Sequence, residues 1–167
     1  MNSQWIADFT ALQFGRGAPG QVRNLDVTWT PTPPSTTQQI TEISRSSYAV
    51  APLTIGSLLY VDRTYTWTTI PSAYVGGLAI RTANSDRANT ANPWLQFRIA
   101  AAGTVYVGWN TVVAAPIWLS SWTNTQQTLN AGNAPYRLYS KTFAAGSLVS
   151  LGPMANANGS MYVVVVK

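Results

Sequence analysis

The chain closes on the stretch "SMYVVVVK", and the four consecutive valines Val163 to Val166 restrict its fold more than any other feature. Side chains on a β-strand alternate between faces, so a run of this kind is apolar on both. Such a strand is central in its sheet and covered by a second layer. The remainder of the chain repeats the theme in shorter pieces. "SLLYVDRTYTWTTI", Ser57 to Ile70, is rich in β-branched and aromatic residues and stops at Pro71. "WLQFRIAAAGTVYVGW" reads as a hairpin, with Phe97 and Ile99 on one arm, Val105 and Val107 on the other and a turn near Gly103. "PYRLYSKTFAAGSLVSLG" gives two more strands around Gly146. Short strands separated by Gly, Pro and Asn turns predict an all-β fold, an antiparallel β-sandwich with a jelly roll as one variant.

With 167 residues there is enough chain for one main core and a short appended segment. The appended segment is residues 1–39, read as an extended N-terminal arm, and residues 40–167 are the sandwich domain. In the arm, Trp5, Ile6, Phe9 and Leu12 fall at helical spacing, Leu25, Val27 and Trp29 alternate as in a strand, and "TPTPPSTTQQ" reads as an extended spacer. Neither apolar piece is stable alone, so Trp5, Phe9 and Trp29 are expected to dock, on this domain or on a protein partner. A fragment beginning near Thr41 is expected to fold without the arm.

Charged residues make up only 9% of the chain, and its net charge of +5 comes from singly scattered Arg and Lys. A nucleic-acid footprint is normally clustered, so no nucleic-acid partner is expected. No apolar stretch is long enough for a membrane helix, and the start shows no signal peptide. The chain is therefore expected to be a mature piece of an exported protein or a virion component, extracellular or on a virion surface. Without cysteine it has neither disulfides nor thiolate metal sites.

Five segments carry a resemblance: "YVDRTYTWTTIP", "IRTANSDRA", "VYVGWN" with "PIWLSSWTNT", "YSKTFAAG" and "LGPMANANGSMYVVVV". In this order, over about Tyr48 to Lys167, the chain resembles noncatalytic, carbohydrate-binding-module-like β-sandwich domains attached to secreted bacterial polysaccharide lyases and glycosidases. The resemblance implies a sandwich fold and binding to a polysaccharide or surface glycan. One departure is plain. After "VYVG" that family commonly has an aromatic, an Asp and then an Arg, where this chain has Trp109, Asn110, Val112 and Val113.

Tryptophan indoles offer flat faces on which sugar rings stack. Trp118, beside Leu119, is expected in the core, while Trp122 and Trp109 are expected to face solvent. Asn124, after Trp122, and the guanidinium groups of Arg63 or Arg81 would bond sugar oxygens. Asp62 and Arg63 also read as a structural charge pair, and Asn84 and Asp86 in "TANSDR" as loop caps, too few oxygens for a calcium site. Five carboxylates and no histidine make catalysis improbable, so no enzyme activity, metal or cofactor is expected. The reading is a noncatalytic, glycan-binding or adhesive surface module. The alternative is a decoration or fibre protein of a phage virion or an extracellular assembly, held by its arm.

Overall fold

The computed structural model describes residues 39–132 and 134–167; Trp5, Phe9 and Trp29 lie outside the described residues. Among the described residues nine strands form two antiparallel sheets and there is no α-helix. The strands are β1 (Ile40–Thr41), β2 (Ala49–Pro52), β3 (Leu78–Arg81), β4 (Leu95–Ile99), β5 (Gly103–Asn110), β6 (Thr123–Ala131), β7 (Ala134–Phe143), β8 (Leu148–Leu151) and β9 (Val163–Val166). One sheet has the order β1-β4-β8, the other β2-β3-β9-β5-β7-β6. Both are all-antiparallel, and the arrangement is a β-sandwich.

The valine run is β9, hydrogen-bonded between β3 and β5. Register divides its side chains. Val164 and Val166 share a face with Ile80 and Leu78 of β3 and with Val107 and Val105 of β5. This face packs into the common core with the small sheet, where Leu95, Phe97 and Ile99 of β4 and Val149 and Leu151 of β8 alternate inward. Val163 and Val165 face the other way, with Gly108, Tyr106, Tyr136 and Leu138.

That second face is covered by the excursion between β2 and β3. Tyr74 meets Tyr106 edge-on at 5.1 Å between ring centroids, and Trp67 meets Tyr136 at 5.8 Å. At Gly77 a Cβ would sit 3.1 Å from Val165 Cγ1, so this part of the excursion lies directly on β9. The six-stranded sheet is thus the middle of three layers. Each fully buried valine contributes about 1.5–3 kcal/mol of transfer free energy, which explains why both faces of β9 are apolar.

Two expectations fail in detail. Ser57 to Ile70 is not a strand: it makes only isolated bridges, Leu58 to Thr66, Tyr60 to Thr82 and Thr69 to Asn130. Its Leu59, Tyr60, Trp67 and Ile70 are buried, so its strand-like composition serves face-on packing instead of ladder formation. Nor is the segment from Trp94 to Trp109 a hairpin, because β4 and β5 lie in different sheets. Residues 100–102 carry the chain from one layer to the other, and β7 to β8 crosses likewise through Gly146, at φ +75°.

Ile40 is buried in β1, and Ala100 N–H donates to the carbonyl of Gln39 at 2.9 Å. A fragment for independent folding therefore begins at Gln38, not Thr41. Residues 38–167 alone are expected to give a β-type circular dichroism spectrum and a cooperative melt. An unfolded or aggregated product would show that residues 1–37 complete the core.

Candidate functional site

The ladders end together on one side of the sandwich. Asn110, last in β5, pairs with Tyr136 of β7, and Ala131 pairs with Ala134 where β6 turns into β7. Around these ends lie Tyr65, the 3-10 turn Asn84–Ala88 and the loop before β9. Together they line an open cleft of about 560 Å³. Its apolar wall is Tyr65, 51% exposed, and Val112, 69% exposed. Its polar lining comes from Asn84, Arg87, Asn110, Asn158 and Ser160.

This polar wall is tied down from several directions. Arg87 Nε donates to the carbonyl of Ala157 at 3.0 Å and Nη1 to that of Asn84 at 3.1 Å. In return, the Arg87 carbonyl accepts the Asn156 N–H at 2.8 Å. Asn84, itself 7% exposed, accepts the Met161 N–H on Oδ1 at 2.9 Å. Asn156 Oδ1 accepts the Asn158 N–H at 2.8 Å, a local turn of the kind Asn favours. At Gly159 a Cβ would come within 2.8 Å of Met154 Cε and 3.0 Å of Val113 Cγ2, so the loop packs closely on both side chains.

Beneath the cleft, Tyr60 Oη donates to the Met161 carbonyl at 2.6 Å and lies 2.8 Å from Tyr136 Oη. A phenol has one proton, so Tyr136 must be the donor in that pair. Burial, followed by the neighbouring Tyr136 hydroxyl, pushes the Tyr60 pKa well above that of a free phenol. Asp62 supports the turn from outside, accepting Asn84 N–H at 2.7 Å and Ser85 N–H at 3.0 Å. Burial pushes its pKa up. Bonds from the Asn84 and Ser85 backbone, the Ser85 hydroxyl and Arg63 outweigh this, and the carboxyl ends below its ordinary value.

The anticipated binding residues are not brought together. Trp109, expected in solvent, is 3% exposed: it stacks on Tyr162 at 6.1 Å, meets Trp118 edge-on and donates its N–H to the Val113 carbonyl. It lies on the inner face of β5, with Val105 and Val107, which commits its indole to the core. Trp118, expected in the core, is only half-buried, lying over Gly152 and donating to the Pro153 carbonyl. Trp122 is half-buried and tilted against Phe143 at 5.9 Å. Asn124 is exposed, its Oδ1 accepting the Gln126 N–H.

Arg63 is paired with Asp62 at 3.1 Å, and Arg81 donates to the Tyr60 carbonyl at 3.0 Å. Arg81 lies in β3, while Trp122 immediately precedes β6, and these strands are four ladder steps apart. At about 4.8 Å per step that is roughly 19 Å, beyond the reach of one sugar ring. Asp86, read as a loop cap, instead accepts the Tyr48 hydroxyl at 2.7 Å. Asp86 Oδ1 accepts from Asn89 Nδ2 at 3.4 Å, and Asn84 Oδ1 is engaged by the Met161 N–H. Among the described residues no group of three or more potential metal-binding side chains is gathered.

The reading of the sequence thus missed Tyr65, Arg87, Asn110 and the 156–160 loop as parts of one site. The available signal was "NANGS", a turn-rich segment inserted immediately before a buried strand. No protein-family model matches the chain, and no curated protein does. Solved structures do. A domain of a β-glucuronidase from glycoside hydrolase family 2 superposes with a TM-score of 0.70 at 23% identity, over 81% of this chain and 15% of that one. A GH138 enzyme targeting pectin rhamnogalacturonan II matches with a TM-score of 0.50 at 12% identity, over 76% of this chain and again 15% of that one. The chain thus matches about 15% of the length of each enzyme, and the likeness is one of fold, an antiparallel β-sandwich.

Proposed function

We propose that the domain is a noncatalytic glycan-binding module and that the strand-end cleft is its binding site. The observation that carries the reading is the pairing in one cleft of a half-exposed aromatic, Tyr65, with a fixed wall of amide, hydroxyl and guanidinium groups. A sugar ring has the matching duality: an apolar C–H face to lie on the phenol and hydroxyls to meet the polar wall. The two structures described above belong to carbohydrate-active enzymes, which agrees with this ligand class.

The noncatalytic part rests on the carboxylates. Among the described residues these side chains are Glu42, Asp62 and Asp86, and none lines the cleft. Glycoside hydrolysis ordinarily needs two facing each other across the scissile bond.

Tyr65→Ala is the direct test. An aromatic contact of about 0.5–1.5 kcal/mol corresponds to roughly a 2- to 13-fold loss of affinity. Affinity electrophoresis against a polysaccharide panel should show that loss while the melting temperature stays near the parent value. Unchanged retardation of the variant would remove the cleft from consideration.

A further inference from the structure

Granting that the cleft holds a glycan, we infer that its ligand is anionic, a uronate-containing chain whose carboxylate meets Arg87. Among the described residues Arg87 is the one charged residue lining the cleft. The surrounding carboxylates are engaged elsewhere: Asp62 on the Asn84 and Ser85 backbone and on Arg63, and Asp86 on the Tyr48 hydroxyl. The ion pairs among the described residues are Asp62 with Arg63 and Glu42 with Arg98, so no carboxylate of these residues neutralises Arg87.

A guanidinium has five N–H donors in a planar fork. Two are used, by Nε to Ala157 and by Nη1 to Asn84, and both acceptors are backbone carbonyls that leave the charge intact. These two bonds fix the plane of the group. Its remaining donors are thereby preorganised for a planar anion, which an Arg fork meets with two parallel bonds. A neutral sugar hydroxyl would use only one of them and leave the charge uncompensated.

Arg87 also joins the Asn84–Ala88 turn to the 156–160 loop, so removing it could disturb the fold as well as the ligand. The decisive comparison therefore changes the ligand. Polygalacturonate and glucuronan are each compared with their carboxyl-reduced neutral forms, which keep linkage and length, by calorimetry on the intact chain. The acidic form should bind at least about ten-fold more tightly, the scale expected for hydrogen bonds to a charged group. Tyr65→Ala should weaken it further, and Arg87→Gln should bring the acidic affinity down to that of the reduced form.

Equal affinity for the acidic and reduced forms, still sensitive to Tyr65→Ala, would overturn the anionic preference and leave the cleft as a neutral-glycan site. Preference for the acidic form that ignores both substitutions would place the anion on the general positive surface and overturn the assignment to Arg87. Absence of binding by every polymer, acidic or neutral, would overturn the glycan reading with it.

Discussion

Trp109→Ala is expected to lower stability by about 3–5 kcal/mol, the range for deleting a fully packed tryptophan. The indole holds three neighbours at once: its face stacks on Tyr162, Trp118 abuts it edge-on, and its N–H satisfies the Val113 carbonyl. Removing it opens a cavity beneath two further aromatics and leaves that carbonyl without its donor. Urea denaturation followed by tryptophan fluorescence should show a strongly reduced midpoint. The same experiment on Tyr65→Ala should show little change, because that ring is half in solvent. A Trp109→Ala protein as stable as its parent would mean that β5 does not present this residue inward.

The second large effect concerns the outer layer. Val165 faces the excursion that carries Trp67 and Tyr74, not the small sheet. In a two-layer sandwich that face would be wet, and an aspartate there would be tolerated. With the third layer in place, Val165→Asp buries a carboxylate with no partner, at more than about 4 kcal/mol, most of the stability of a domain at the low end of the usual range. Thr142→Asp supplies the control. Thr142 is on the same face of the sheet but at its exposed end, where a substitution is expected to stay within about 0.5 kcal/mol. Val165→Asp melting beside the parent would show that Leu53 to Gly77 does not cover the sheet.

The contrast between Val165 and Thr142 also marks what can be read from residues alone. "VVVV" announced a strand buried on both faces because period-two patterning is local, and β9 is that strand. Which strands would share a ladder was not local. The apolar arms at Leu95–Ile99 and Gly103–Asn110 look like a hairpin at short range, yet they belong to separate sheets, since pairing is decided by distant partners such as Leu151 and Phe143. Trp109 and Trp118 show the same limit. Each sits in an apolar neighbourhood in the sequence, and only the parity of Trp109 in β5 sends it inward. The cleft was least legible because it gathers ends of segments from Tyr65 to Ser160 that share no motif. Its floor depends on the Tyr60 to Tyr136 contact, 76 residues apart in the chain.

The position of β9 has a further consequence, for the order in which the molecule can be made. It is the last strand in the sequence and lies between β3 and β5. Until it inserts, those two strands each present an unpaired apolar edge, and the six-stranded sheet exists only as separate halves. A nascent chain therefore cannot close its core as it emerges. It must wait for Val163 to Val166 to clear the ribosome, then satisfy two ladders in one step. Topologies with such distant pairings fold slowly and expose sticky edges while they do so. Truncation of the final strand should consequently yield aggregation during synthesis, a failure of kinetics that no alteration at the cleft would produce.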